Sequence, residues 1–432
     1  MQRNPLASWI TLVFSTLLVS LPPAEAAGQG TPGTPGPTTI DTLTWALAQI
    51  GGCADTTERA RQAEALMVRL KVRGRPISGD SSVWFFYSGN VSTAAVAGDF
   101  NGWRPDTDRL MRIEGTNVFF LEKKFDPASR FEYKIVADTR WMLDPLNSQQ
   151  AVGGYGPNSE VWMPRYVSPE EITYRPRIPH GTIDTLHIPS ALLGRTSTVY
   201  VYLPPGRSIA HRVSPAHTGK TAGTPLPVVF VMDGGEYISL ARMITILDNC
   251  IADKRIPPIG AVFVDPRLDP RNSATSMRGP DYTLNDTFVV ALAKDFRDPL
   301  AARYGFSTDP RWTGIMGASL GGLVATYAAY RSPDVFGLSA AQSPAYGWRE
   351  EAILGMLSSS PHTATRFYID TGTMRDAEAS ARRMRDALLC RGYTLRYGEY
   401  PEGHNWVNWR ARIDDILEFF YGAPLRKRTR VP

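Results

Sequence analysis

The sequence predicts an α/β fold: a mostly parallel sheet layered with helices, preceded by an Ig-like β-sandwich. Three observations predict it. Short strand-like runs crowd residues 79–165, apolar strands alternate with helical stretches over 180–422, and one of those strands runs into Gly-x-Ser-x-Gly followed by a small-residue helix. The 432 residues leave room for two or three domains. With 43% hydrophobic and 21% charged residues, the chain as a whole is not disordered. A mean hydropathy of −0.21, with no long apolar run beyond the N-terminus, excludes a multi-span membrane protein. The net charge of +5 is thinly spread. Its one basic run, Arg426-Lys427-Arg428 with Arg430 in the tail 423–432, reads as solvated and not as a nucleic-acid contact.

Taken in order, Arg3, the apolar stretch Trp9 to Leu21 and the small residues up to Ala27 describe a secretory signal peptide cleaved after Ala26. The expected location is therefore periplasmic or secreted, with no integral membrane segment after cleavage. Residues 27–78 begin as a Gly/Pro/Thr linker and continue as a helix from Asp55 to Val72, in which Ala63, Leu66, Met67 and Leu70 share a face. Asp55 or Thr56 caps its start, and Gly74 with Pro76 stops it. Three cysteines, Cys53, Cys250 and Cys390, form neither a disulfide framework nor a metal cluster; one bridge, Cys250–Cys390, is open in an oxidising compartment.

The runs Val83–Tyr87, Ala94–Ala97, Val118–Leu121 and Phe131–Val136, parted by Gly, Asn and Asp, are strands of the sandwich. A Pro-rich connector, Ser168 to Pro189, leads to the second region, where Val199–Leu203, Pro227–Met232 and Ala261–Val264 are strands and Phe288–Tyr304 and Leu323–Tyr330 helical.

Gly317-Ala318-Ser319-Leu320-Gly321 is the most informative segment. In a nucleophile elbow the serine sits on a strained strand-to-helix turn whose flanking glycines avoid clashes, and the next N–H, of Leu320, points at a developing oxyanion. A serine hydroxyl needs an adjacent base. His404 follows the strand Thr394 to Tyr400 and precedes the final helix, whereas His362 lies too early. The acid is expected after the preceding strand, as Asp376, then Asp370, then Glu378; a dyad without an acid is the remaining choice. Gly234, with Gly235 next, offers a second oxyanion donor, and Asp233 braces that loop. No metal or organic cofactor is needed.

These residues resemble a known group. Val201-Tyr202-Leu203-Pro204-Pro205, Val231-Met232-Asp233-Gly234, Gly317 to Leu323, Ser332-Pro333-Asp334-Val335-Phe336-Gly337, Gln342-Ser343 and Gly403-His404-Asn405-Trp406 with Trp409-Arg410 are similar to the esterase D / enterochelin esterase branch of the α/β-hydrolases. The resemblance covers about residues 180–422 and implies a serine carboxylic-ester hydrolase acting on siderophore trilactones, feruloyl or acetyl sugar esters, or other acyl esters. The siderophore esterases resemble this chain around Arg271, which the likeness makes a substrate contact, but carry an acidic residue soon after it, where this chain has Asn272-Ser273-Ala274-Thr275.

The sandwich also resembles a family. Gly98-Asp99-Phe100-Asn101-Gly102-Trp103, Tyr133-Lys134, Trp141, Asp144-Pro145 and Asn158 look like the early-set sandwich of glycogen-binding modules. That likeness implies sugar contacts at Trp103, Lys134, Trp141 and Asn158; the other reading is that the two indoles pack the sandwich core. An exported esterase on a small-molecule or glycan ester is the leading expectation. An acyltransferase using the same Ser and His, and a non-catalytic glycan-binding protein, are the alternatives.

Overall fold

The computed structural model describes residues 39–207, 224–358 and 361–423. The expected signal peptide, most of the linker and the basic run of the tail lie outside the described residues. Two helices come first. Thr39 caps Ile40–Gly52, and the Asp55 carboxylate accepts the Thr57 and Glu58 N–H groups at the head of Thr56–Arg73, which ends on Gly74 at φ 65°. The second is the expected helix; the first begins in what the sequence analysis gave to the linker.

Nine strands follow: β1 (Ile77–Ser78), β2 (Ser82–Ser88), β3 (Ala94–Gly98), β4 (Met111–Arg112), β5 (Val118–Lys124), β6 (Arg130–Ala137), β7 (Arg140–Met142), β8 (Gln150–Gly153) and β9 (Gly156–Trp162). They pair as two sheets, β1-β2-β5-β4 and β3-β6-β9-β8, with β7 on β6. The period of two explains why Val83–Tyr87 is apolar throughout. Val83, Phe85 and Tyr87 pack on Val96, Phe131, Tyr133 and Ile135 of the other sheet, while Trp84 and Phe86 turn to Leu43, Ile50, Leu66 and Leu70 of the two helices.

The second region holds β10 (Thr182–Ser190), β11 (Arg195–Leu203), β12 (Val228–Met232), β13 (Gly260–Val264), β14 (Thr313–Ala318), β15 (Leu338–Gln342), β16 (Arg366–Gly372) and β17 (Thr394–Tyr400). Their order is β10-β11-β13-β12-β14-β15-β16-β17, and the sheet is parallel from β13 onward. Val228, Phe230 and Met232 enter one core layer and Val229 and Val231 the other, so the sheet is buried on both faces. Strand order reverses about β12, with β13 on one side and β14 on the other, which opens a crevice at their carboxyl ends. The helix expected over 288–304 is broken into Asp286–Ala291, a widened π turn Leu292–Arg297 and Asp298–Tyr304.

The Cys250–Cys390 bridge does not form, and all three thiols are free. Cys250 is buried in the core layer on one face of the large sheet, whereas the helix ending at Cys390 packs Ala381, Met384 and Leu388 into the layer on the other face. The sheet stands between the two sulfurs. From Thr38 onward the sandwich and the α/β region belong to one compact unit. Among the described residues no helix is long and apolar enough to cross a membrane.

Candidate active site

Ser319 directly follows β14 at φ 58°, ψ −120°, and the helix Leu320–Arg331 follows at once. A non-glycine residue in that region carries about 1–3 kcal/mol of strain, which the surroundings have to hold. They do so through two bonds to the neighbouring strand end: Ser319 N–H to the Gln342 carbonyl at 2.8 Å and Ala345 N–H to the Ser319 carbonyl at 3.0 Å. The glycines are steric necessities. A Cβ on Gly317 would lie 2.5 Å from the Gly321 carbonyl carbon, and one on Gly322 3.2 Å from the Gly317 oxygen.

Asp376 and His404 come from the loops after β16 and β17, at the same carboxyl edge as the elbow. His404 Nδ1 lies 2.6 Å from Asp376 Oδ1. The other carboxylate oxygen accepts the Gly372 N–H at 2.6 Å and the Ser343 hydroxyl at 2.5 Å. Burial pushes this carboxyl up, but the hydrogen bond and charge of His404, then the Ser343 and Gly372 donors, hold it below the usual carboxylate range. An ionised Asp376 fixes the proton on Nδ1 and leaves Nε2 as the basic nitrogen. Trp409 meets the imidazole edge-on with ring centroids 5.0 Å apart, and its Nε1–H donates to Ser343 Oγ at 3.0 Å.

Neither alternative acid is hydrogen-bonded to His404. Asp370 is buried at the end of β16, where it accepts from Gln342 Nε2 at 3.2 Å, and burial pushes its carboxyl up to about 7. Glu378 heads the helix Glu378–Cys390. Among the described residues no hydrogen bond joins Ser319 to His404; in sites of this kind that contact often tightens only with substrate in place.

Gly234 and Gly235 open the short helix Gly234–Ser239 after β12, and Leu320 opens the helix after the elbow. The first N–H groups of a helix have no intrahelical acceptor. Packing adds a reason for Gly234 that the sequence did not suggest: a Cβ there would lie 2.5 Å from the Phe263 carbonyl carbon of β13. Asp233, at φ 56°, braces the loop as expected, through a partner the sequence reading missed. Arg278 Nε and Nη2 reach its two oxygens at 2.8 and 2.9 Å, and Nη2 also donates to the Ala318 carbonyl at 3.1 Å. Arg278 thus ties the β12 loop to the elbow, and its only sequence signal was a cation between β13 and the next helix. At the tip of the β8–β9 hairpin a Cβ on Gly154 would lie 3.6 Å from Trp406 Nε1, so the sandwich reaches the segment that follows His404.

Arg271 is 91% exposed and its hydrogen bonds run only to Asp269 in its own loop. Lys134 and Asn158 alternate with the core residues Tyr133, Ile135 and Val161, which puts them on the outer face of the β6 sheet. Trp141, across from Val136 and 46% exposed, shares that face. Trp103 stands at φ 60° with its Nε1–H 3.3 Å from Asp99 Oδ1. Neither indole belongs to the sandwich core, so the packing alternative is not what this structure shows.

An elbow serine at the carboxyl edge of an eight-stranded, mostly parallel sheet defines the α/β-hydrolase fold class. The chain belongs to the family described as "Putative esterase", whose sequence model matches residues 190–420, and is a carboxylic ester hydrolase. The iron(III) enterobactin esterase of Escherichia coli (strain K12) is 24% identical to it over 342 residues, 70% of this chain and 79% of that protein. The iron(III) enterobactin esterase of Dickeya dadantii (strain 3937) is 25% identical over 207 residues, 44% of this chain; the match spans 46%, about half, of that relative's length. The solved ferric enterobactin esterase of Salmonella typhimurium shares the fold, with a TM-score of 0.63 at 20% identity over 78% of this chain and 93% of that one.

Proposed function

We propose that this chain is an exported serine esterase that works through an acyl-enzyme. Ser319 Oγ attacks the ester carbonyl carbon while His404 Nε2 takes its proton. The Leu320 and Gly234 N–H groups hold the oxyanion, and the bond to the alcohol breaks as His404 returns the proton to the leaving oxygen. Water, deprotonated by the same imidazole, then attacks the acyl carbon and frees Ser319. Asp376 keeps the imidazole in the working tautomer. The observation that carries this reading is the 2.6 Å His404–Asp376 pair at the sheet edge where the elbow presents Ser319. Export rests on Arg3, the apolar stretch after it and the small residues up to Ala26.

The substrate class we infer is a siderophore ester or a feruloyl or acetyl glycan ester. The activities for which the relatives are named favour a siderophore ester. The outer face carrying Trp141, Lys134 and Asn158 favours a sugar, with Trp103 beside it. Hydrolysis of p-nitrophenyl acetate by wild type and Ser319→Ala tests the chemistry: activity in the first and its loss in the second are expected, and equal inactivity of both over a range of esters overturns the reading. Ferric enterobactin, methyl ferulate and acetylated xylan, compared side by side, assign the substrate.

A further inference from the structure

One end of the sandwich's outer face is charged and yet buried. Arg130, Glu132 and Asp99 lie there with almost no exposure. Arg130 Nη1 donates to Glu132 Oε1 at 2.8 Å and to Asn405 Oδ1 at 3.0 Å, and its Nε donates to Glu160 at 3.0 Å. Asp99 Oδ2 accepts from Asn405 Nδ2 at 2.9 Å and from the Glu132 N–H at 2.8 Å. Asn405 Oδ1 also accepts the Asn408 N–H at 3.1 Å, as the cap of the helix Trp406–Arg410. On the other side of His404, the Arg130 N–H donates to the Pro401 carbonyl at 3.3 Å, and a Cβ on Gly403 would lie 2.2 Å from Asp99 Cγ.

The sandwich therefore grips residues 401–405 both before and after the imidazole. Burying charge is expensive, and an apolar seam would hold two layers together equally well. What a hydrogen-bonded cluster adds is a fixed register and orientation. We propose that Asp99, Arg130 and Asn405 are positioning residues: through them the sandwich sets the orientation of His404, so that the N-terminal region is a working part of the ester-cleaving site. None of the three touches substrate. The proposal rests on the reading of His404 as the base.

Asn405→Ser retains a capping oxygen for the Asn408 N–H and removes both bonds to the sandwich. With the full chain and p-nitrophenyl acetate, kcat is expected to fall about 10- to 100-fold with KM within about twofold, as for a misaimed catalytic group. In a His404→Ala background the same change is expected to alter the residual rate less than about twofold, because its effect runs through the imidazole. An unchanged kcat in Asn405→Ser, or an equal fall in both backgrounds, overturns the proposal, the latter by showing general damage. If Asn405→Ser does not fold, Asp99→Asn, which changes no volume, gives the same two comparisons. His404→Ala at wild-type rate would instead sink the assignment of the base, and the positioning role with it.

Discussion

The elbow around Ser319 and the seam around Arg130 solve opposite problems. The elbow is built by removing side chains: Gly317, Gly321 and Gly322 let a strand and a helix meet so tightly that added Cβ atoms would lie 2.5 to 3.2 Å from neighbouring atoms. The seam is built by adding charge, with a fully buried guanidinium held between carboxylates and an asparagine from the far end of the chain. The first is demanded by sterics within a few consecutive residues. The second exists only once residues 99, 130, 132, 160 and 405 have been brought together. Local geometry of the first kind leaves a motif, and long-range pairing of the second kind leaves scattered ordinary residues.

The sharpest way to break this contrast is to remove the elbow's chemistry and leave its geometry. Ser319→Ala is expected to cost at least about 10⁴-fold in kcat on p-nitrophenyl acetate with an unchanged melting temperature. Asp376→Asn, which frees the imidazole to take the wrong tautomer, is expected to lower kcat by about 10³- to 10⁴-fold, read in the same assay. Gly317→Ala attacks geometry instead: with backbone 2.5 Å from the new Cβ, about 2–3 kcal/mol of stability should be lost in denaturant titration.

A smaller effect concerns pH. The Asp376 carboxyl is held below its unfolded value of 3.8, so the stability it contributes is complete above that value and disappears as pH falls through the lower folded one. The gap in urea midpoint between wild type and Asp376→Asn should therefore narrow below about pH 4. A gap unchanged from pH 7 to pH 2 would show that the carboxylate is not anchored as described. The least effect is reserved for the open sandwich face. Trp141→Ala should weaken polysaccharide binding by about 1 kcal/mol in affinity electrophoresis and leave p-nitrophenyl acetate turnover unchanged.

Much of this was legible beforehand where the determinants are near in sequence. Strand and helix periodicity placed the large sheet, and Gly-x-Ser-x-Gly, a His after the last strand and an Asp after the one before it marked three loops at its edge. Ile40–Gly52 escaped because a Gly/Pro/Thr tract runs up to it and its apolar stripe is satisfied by residues that come later, among them Leu66 and Leu70 of the next helix and Phe86 and Val118 of a sheet. The pairing of Cys250 with Cys390 failed because spacing carries no information about which face of a sheet a helix will cover. Arg278 was illegible for the same reason as Arg130: a guanidinium declares its role only when its carboxylate partner, here Asp233, is seen beside it.

The notch at Gly403, filled by the carboxylate of Asp99, has an evolutionary consequence. Two sites 304 positions apart are bound to change in concert, since a side chain at the first would evict the second. Exchange of the N-terminal module for an unrelated one by recombination would leave that hollow empty and Asn405 without its tether. Lineages carrying this architecture are thus expected to inherit both halves as a single heirloom rather than as interchangeable parts.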